Sequence, residues 1–374
     1  MREASPSARE WYTRGVVVDI RSPKGDAMST YCGVDFHARQ QTVTYCESGD
    51  GEVRQCLLLH QDKAEMRKFY AGLKPPVIVG FETSAYGQWF EDLLESLGCE
   101  VWIGDAKEIR RKAKSRHKND RKDSSLIFEL MVEGKFPRIF RSSLESREIL
   151  QLLRYRQKLI KIRTITINSL HTLSIASGLS VKRTILTKKG RSRVEALEMR
   201  ALPEAQRQEW FLLADELLVR ISRIEKELEV RAEGNDLVKR VQTLPGIGLL
   251  TSLALVHTLG PIGRFSNSRQ VVAYVGLDPL ENSSAERVRF GKISKAGSRI
   301  LRYLLGQAAF TAARLDPDLR RTYNNLSRRR GSQKAITAVA RKLLIRAYVL
   351  LRDGIDYEEF QRRAVAARPA RNEH

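Results

Sequence analysis

The stretch Tyr31 to His60, YCGVDFHARQQTVTYCESGDGEVRQCLLLH, decides the fold. It holds three β-rich runs, YCGVDFH, QTVTYCE and VRQCLLLH, and turn residues at Ser48 to Glu52 separate the last two. Three such runs joined by short turns predict a meander. Downstream, the pattern predicts a helix over Lys63 to Leu73, a buried strand PVIVGFE, a helix over Trp89 to Leu97 and a strand CEVWIGD. The order β-β-β-α-β-α-β is that of the ribonuclease H fold. Two further helices, about Ala106 to Lys114 and Asp120 to Glu133, are expected to cover the sheet. Residues 1 to 28 read as a polar extension with one short apolar stretch, Val16 to Ile20, expected to be peripheral.

From Ser146 the apolar period becomes helical, through Ile149, Leu152, Leu159, Ile162, Leu170 and Leu173. A second helix carries Trp210, Leu213, Leu217, Ile221, Ile224 and Leu228, three or four residues apart. Such spacing predicts an antiparallel coiled-coil arm with a basic insert between its helices, about Gly178 to Arg193. A helical domain is expected from Leu237, with strand signal only at ERVRF, Glu286 to Phe290. The division is therefore α/β plus α: an extension (1–28), an α/β domain (29–145), an arm with its insert (146–232), a helical domain (233–358) and a polar tail (359–374).

The 374 residues include 66 Lys plus Arg against 44 Asp plus Glu, a net charge of +22. Between Glu286 and Arg346 there are 16 basic and three acidic residues, and between Lys107 and Asp123 nine basic and three acidic ones. Charge clustered in this way argues for a polyanionic partner, because neutralised phosphates release condensed counterions. An ordinary metabolic role is disfavoured by this balance. No apolar run reaches the ~18 residues of a membrane span and the start has no signal-peptide core, so a cytoplasmic protein is expected. Four scattered cysteines without a CxxC pair give neither a disulfide framework nor a zinc site. Any metal should be held by oxygen.

Four acids supply such oxygens. Asp35 stands in the middle of the first strand, where a carboxylate among apolar neighbours is costly without a partner. Glu82 ends the fourth strand, beside the first in this fold, and Asp120 and Asp123 share one face at the start of a helix. Singly, Asp120 could cap its helix, Asp123 could answer the helix dipole and Glu82 could be a surface acid. Together they predict a site for Mg²⁺ or Mn²⁺, where two ions could clamp the attacking and leaving oxygens of a phosphodiester.

These residues resemble the DEDD transposases of the IS one-ten-type insertion sequences, a group that also holds the Piv-type DNA invertases. The resemblance rests on GVD, FETSAYG and KNDRKD in the first half and on LPGIGLLTSLAL, FSNSRQVVAYVGLDP and GKISKAGSRILRYLL in the second. It implies a RuvC-like first domain whose acids are Asp35, Glu82, Asp120 and Asp123, and a C-terminal transposase domain. LPGIG, with Gly246 and Gly248, reads as a helix-hairpin-helix turn that lets backbone approach phosphates, or as a plain Gly-rich connection. The resemblance also implies a serine nucleophile after Gly276-Leu277-Asp278-Pro279. Ser284 matches that position; Ser283 lies beside it, and Ala285 stands where the family commonly has glycine. From the residues alone, NSSA would be a turn, since no base adjoins it.

The same resemblance implies donor and target DNA as substrates and a structured guide RNA as partner. Lys292, Lys295, Arg299, Arg302, Arg328, Arg329 and Arg330 are the candidate phosphate contacts, and exchange between two duplexes implies a homodimer or tetramer. Two other readings compete with the serine recombinase. One is a RuvC-like junction nuclease that uses water, and the other is a non-catalytic nucleic-acid-binding protein. The second leaves Asp35 without a use.

Overall fold

A computed structural model describes residues 9–11, 29–49, 51–84, 86–113, 120–181, 184–281 and 290–366. The chain divides into two compact units, Met1–Arg141 and Ser142–His374.

The first unit is built on a mixed sheet of six strands: β1 (Arg9–Trp11), β2 (Thr30–Phe36), β3 (Gln40–Cys46), β4 (Arg54–Leu59), β5 (Val77–Glu82) and β6 (Glu100–Gly104). Their spatial order is β1-β4-β3-β2-β5-β6. The meander β2-β3-β4 is antiparallel, and β5 and β6 add in parallel beside β2. This matches the expected ribonuclease H order. The difference lies at the edge, where Arg9–Trp11, inside the supposed extension, pairs antiparallel with β4.

Alternation along β2 sorts the two faces, because successive side chains point to opposite sides. Cys32 and Val34 join the core made with Met66 and Tyr70 of α1 (Lys63–Gly72) and with Phe90 and Leu94 of α2 (Gln88–Ser96). Tyr31 points the other way, into the core of Ile109 on α3 (Ala106–Lys112) and Ile127, Phe128 and Met131 on α4 (Asp120–Val132). On that second face two glycines let α4 lie directly on the sheet. A Cβ at Gly33 would fall 2.3 Å from the Phe128 backbone nitrogen, and one at Gly80 would fall 2.2 Å from the Met131 sulfur.

The second unit is helical. It opens with α5 (Leu144–Ala176), α6 (Lys188–Glu195) and α7 (Ala201–Ala232). Arg156 pairs with Glu225 and Arg231 with Glu148, so α5 and α7 run antiparallel. They do not stand out as a free arm along their whole length. Ile149, Leu153 and Leu159 of α5 and Leu217, Ile221 and Leu228 of α7 feed the main core of the unit, whereas the far end has its own small core of Leu170, Val181, Ile185, Val194 and Phe211.

Next come α8 (Asp236–Gln242), α9 (Leu249–Leu259), buried from Thr251 onward, α10 (Ser268–Val275), the antiparallel strands β7 (Pro279–Glu281) and β8 (Phe290–Ile293), and α11 (Arg299–Leu315), α12 (Pro317–Arg330), α13 (Ser332–Asp353) and α14 (Tyr357–Ala366). The strand expected at Glu286 to Phe290 begins at Phe290; residues 286–289 lie outside the described residues. The polar tail is helical as far as Ala366, held by Asp356, whose carboxylate accepts from the Glu359 amide, and by the Glu359–Arg363 pair one turn on. Among the described residues no helix is long and apolar enough to cross a membrane.

Candidate active site

Asp35 and Glu82 are positioned by strand register. β2 and β5 run parallel with Gly33 opposite Gly80 and Val34 opposite Phe81, so the next step along both strands sets Asp35 beside Glu82. Each lies two residues beyond a glycine that faces α4, and the period of two puts both acids on that covered face. Asp35 is mostly shielded, its side chain 15% exposed, and its Oδ2 lies 3.0 Å from Nε2 of His37. His37 was not singled out in the sequence. It stands one residue beyond the end of β2, close enough in sequence for its ring to reach back to the acid.

The remaining acids begin α4. Ser124, Ile127 and Met131 form its sheet-facing stripe, with the Ser124 hydroxyl 2.8 Å from that of Thr44 on β3. Asp120 and Asp123 lie one turn before this stripe continues, at the end of the helix where a carboxylate answers the dipole. Asp123 is half-buried, and the Asp120 side chain lies outside the described residues. Among the described residues, no three His, Cys, Asp or Glu side chains gather closely enough to hold a metal ion. The donor chemistry nevertheless suits a hard divalent cation: two carboxylates side by side on one sheet face, with a third on the helix covering it.

The second unit carries the other candidates. Ser283 and Ser284 lie outside the described residues, but the segments flanking them are tied together. Ser294 donates from its amide to Asp278 O at 2.9 Å and from its hydroxyl to the Asp278 carboxylate at 2.5 Å. Lys295 adopts a left-handed backbone, φ 56°, and its amide reaches Gly276 O at 3.2 Å. Arg302 Nη1 donates to Val275 O and Gly297 O, both at 2.8 Å. One nitrogen of its guanidinium is thus committed to backbone carbonyls, and burial lowers its pKa. Through that nitrogen Arg302 clamps the end of α10 to the turn before α11. Lys292, Lys295 and Arg299 are exposed, as are Arg328, Arg329 and Arg330 in the last turn of α12.

Gly246 also has a packing duty. At φ 79° its Cβ would lie 2.6 Å from Ala308 O and 2.7 Å from Ala312 N, so the LPGIG turn is pressed onto α11. Gly248 is the N-cap of α9, with open space around it. Another cation of the basic block turns inward. Arg346 Nη1 lies 2.9 Å from Asp316, which caps α12 through the Leu319 amide and also accepts from the Tyr357 hydroxyl. Burial alone would raise the Asp316 carboxyl, but Tyr357, the Leu319 amide and Arg346 together hold it below its usual value; the same burial and bond push Tyr357 up to about 12.

Two family models match the chain, one after the other. Residues 32–173 match a family model described as Transposase, for the DEDD domain of IS110 elements, and residues 238–324 match the model described as Transposase IS116/IS110/IS902 family. The chain is 29% identical to the transposase for insertion sequence element IS1111A of Coxiella burnetii, over 75% of this chain and 79% of that protein. It is 28% identical to a Pseudomonas aeruginosa protein named "Probable family 20 transposase", over 67% and 75% of the two chains. It is also 28% identical to the transposase for insertion sequence element IS1328 of Yersinia enterocolitica, over 75% and 83%. With both models in order along one chain, a DEDD sheet domain followed by a helical transposase domain, the protein belongs to the IS110/IS116/IS902 family of transposases.

Proposed function

We propose that this transposase cuts and rejoins DNA through a serine nucleophile assisted by a carboxylate site on the α4 face of its sheet. The observation that carries the reading is the register that sets Asp35 beside Glu82 under the helix bearing Asp123. In this scheme Asp35, Glu82, Asp120 and Asp123 would hold Mg²⁺ or Mn²⁺, which would supply charge stabilisation for the transition state and the departing 3′ oxygen. Ser284 Oγ bonds to phosphorus, the P–O3′ bond breaks, and the serine proton leaves with the 3′ hydroxyl. The 5′ phosphate stays on the enzyme as a phosphoserine ester. Reversal with a second 3′ hydroxyl rejoins strands without an external energy source. The Asp278–Ser294 and Arg302 ties would steady the two ends of the segment that carries the serine.

Exposed Lys292, Lys295, Arg299 and Arg328 to Arg330 would contact phosphates without reading sequence. Sequence choice would then fall to a structured guide RNA, and exchange between two duplexes calls for a dimer or tetramer, with the α5–α7 pair offering a coiled-coil surface for assembly. The LPGIG turn would act as a helix-hairpin-helix phosphate contact, through Gly248 at the N-terminus of α9.

The test is Asp35→Asn and Glu82→Gln, which keep shape and remove charge. Both are expected to lose strand cleavage while DNA binding and thermal melting stay near the parent, and cleavage by the parent should stop in excess chelator. Full activity in either variant, or cleavage that ignores the chelator, defeats the carboxylate site.

A further inference from the structure

The solvent face of α11 repeats a pattern that the reading above leaves unused. Arg299, Tyr303, Gln307, Phe310 and Arg314 are all exposed and fall at intervals of four, four, three and four residues, which places them in one stripe. At 1.5 Å per residue the stripe runs about 22 Å, with its two rings about 10 Å apart along the axis. Tyr303 is 44% and Phe310 47% exposed, although the opposite face of the same helix is fully packed through Leu301, Leu305, Ala309 and Ala312.

Beside Phe310 the stripe opens into a cleft of about 590 Å³, lined also by Arg314, Arg320, Tyr323, Asn324 and Ile336. Arg320 is held at its rim by donating to Arg314 O, the last-turn carbonyl of α11. Rings in a row, cations at both ends and an amide between them make a surface suited to unpaired nucleotides. The rings stack on bases, the guanidinium groups meet phosphates, and no base sequence is required. Duplex DNA, with its bases already stacked, offers nothing to Tyr303 or Phe310. A chain that exchanges DNA strands must hold strands that are transiently unpaired.

We infer that the α11 stripe is a single-stranded DNA path, with Tyr303 and Phe310 as stacking platforms and the cleft beside Phe310 as the seat of one unstacked base. The inference rests on the DNA-rejoining reading and adds to it the place where a displaced strand lies. Both rings are solvent-facing, so their removal leaves the core intact.

The experiment uses the full chain and the fluorescence anisotropy of a labelled single-stranded oligodeoxynucleotide. Phe310→Ala and Tyr303→Ala are each expected to weaken its binding about 10-fold, within the range of base–aromatic stacking, while changing affinity for the matching duplex less than about 2-fold. Phe310→Trp should restore single-strand binding, and an abasic oligonucleotide of equal length should bind the parent weakly and be insensitive to either alanine. Unchanged single-strand affinity in both alanine variants overturns the inference, as does an equal loss on the abasic strand. A loss confined to an RNA strand of the same sequence would assign the face to RNA and overturn the DNA path. Strand cleavage measured in parallel separates the two claims: a parent chain that binds single strands through these rings but never cleaves defeats the rejoining scheme alone.

Discussion

Gly33→Ala is the perturbation that most sharply tests how the acidic face is built. The added methyl would sit 2.3 Å from the Phe128 nitrogen and 2.6 Å from Ser124 O, both backbone atoms of α4. Ordinary contact begins near 3.4 Å, so the helix must retreat by about 1 Å, because backbone cannot rotate aside. Overpacking of this kind costs about 1–3 kcal/mol, against a gain of about 0.4–1 kcal/mol from restricting the unfolded chain. Net destabilisation wins. The retreat also carries Asp120 and Asp123 away from Asp35 and Glu82, and a misplacement of about 1 Å can lower a rate on the order of 100-fold. Gly80→Ala is the control. Its methyl meets the sulfur and terminal methyl of Met131, the far end of a side chain that can swing away, so it should cost less than about 1 kcal/mol and little activity. Urea melts and strand-transfer rates on the three proteins decide the matter. Equal damage from both substitutions, or a Gly33→Ala protein as stable and active as the parent, refutes the argument.

Two further outcomes follow from the charges. His257 is buried, with Nδ1 3.0 Å from the Ser146 hydroxyl, and burial lowers its pKa although Glu145 pulls the other way. A lowered folded pKa means that the stability it confers is present above the ordinary histidine value, about 6.5, and is lost as pH falls through the folded value. Urea midpoints should therefore drop on acidification, and less steeply in His257→Gln; parallel pH profiles would remove His257 as the cause. For DNA affinity, replacing Arg328, Arg329 and Arg330 together by Ala should weaken binding alike on all sequences and flatten its salt dependence by about one unit of log–log slope per lost contact, read by titration at several salt concentrations. An altered sequence preference with an unchanged slope would mean that they read bases.

The sheet was legible because strands declare themselves locally: alternation within Tyr31–His60 and the apolar run before Glu82 name the elements, and the fold then brings Asp35 to Glu82. β1 was not legible. Three residues carry no periodicity, and Arg9–Trp11 is a strand only because β4 offers it an edge. The clamp made by Arg302 was not legible for a related reason, since its partners are carbonyls, and one of them lies 27 residues earlier in the chain. Side-chain chemistry cannot announce a backbone acceptor. Gly246 looked like an opening for phosphate because glycine signals close approach without saying to what, and the approach seen is to α11. His37 shows the converse: it follows Asp35 by only two residues, yet an imidazole just past a strand end has no pattern of its own that marks it as the partner of the acid.

The central claim is that a serine of this chain becomes covalently joined to DNA. The decisive measurement is adduct trapping on a suicide DNA substrate, resolved on denaturing gels, with the parent, Ser283→Ala, Ser284→Ala and the double variant. The account predicts a protein–DNA adduct in the parent and in Ser283→Ala, and none in Ser284→Ala or the double variant, with DNA binding intact in all four. Loss in Ser283→Ala alone would move the nucleophile by one residue. An adduct that persists in the double variant, or clean hydrolysis by the parent with no adduct at all, would contradict the serine mechanism, and the latter would leave a water-using nuclease in its place.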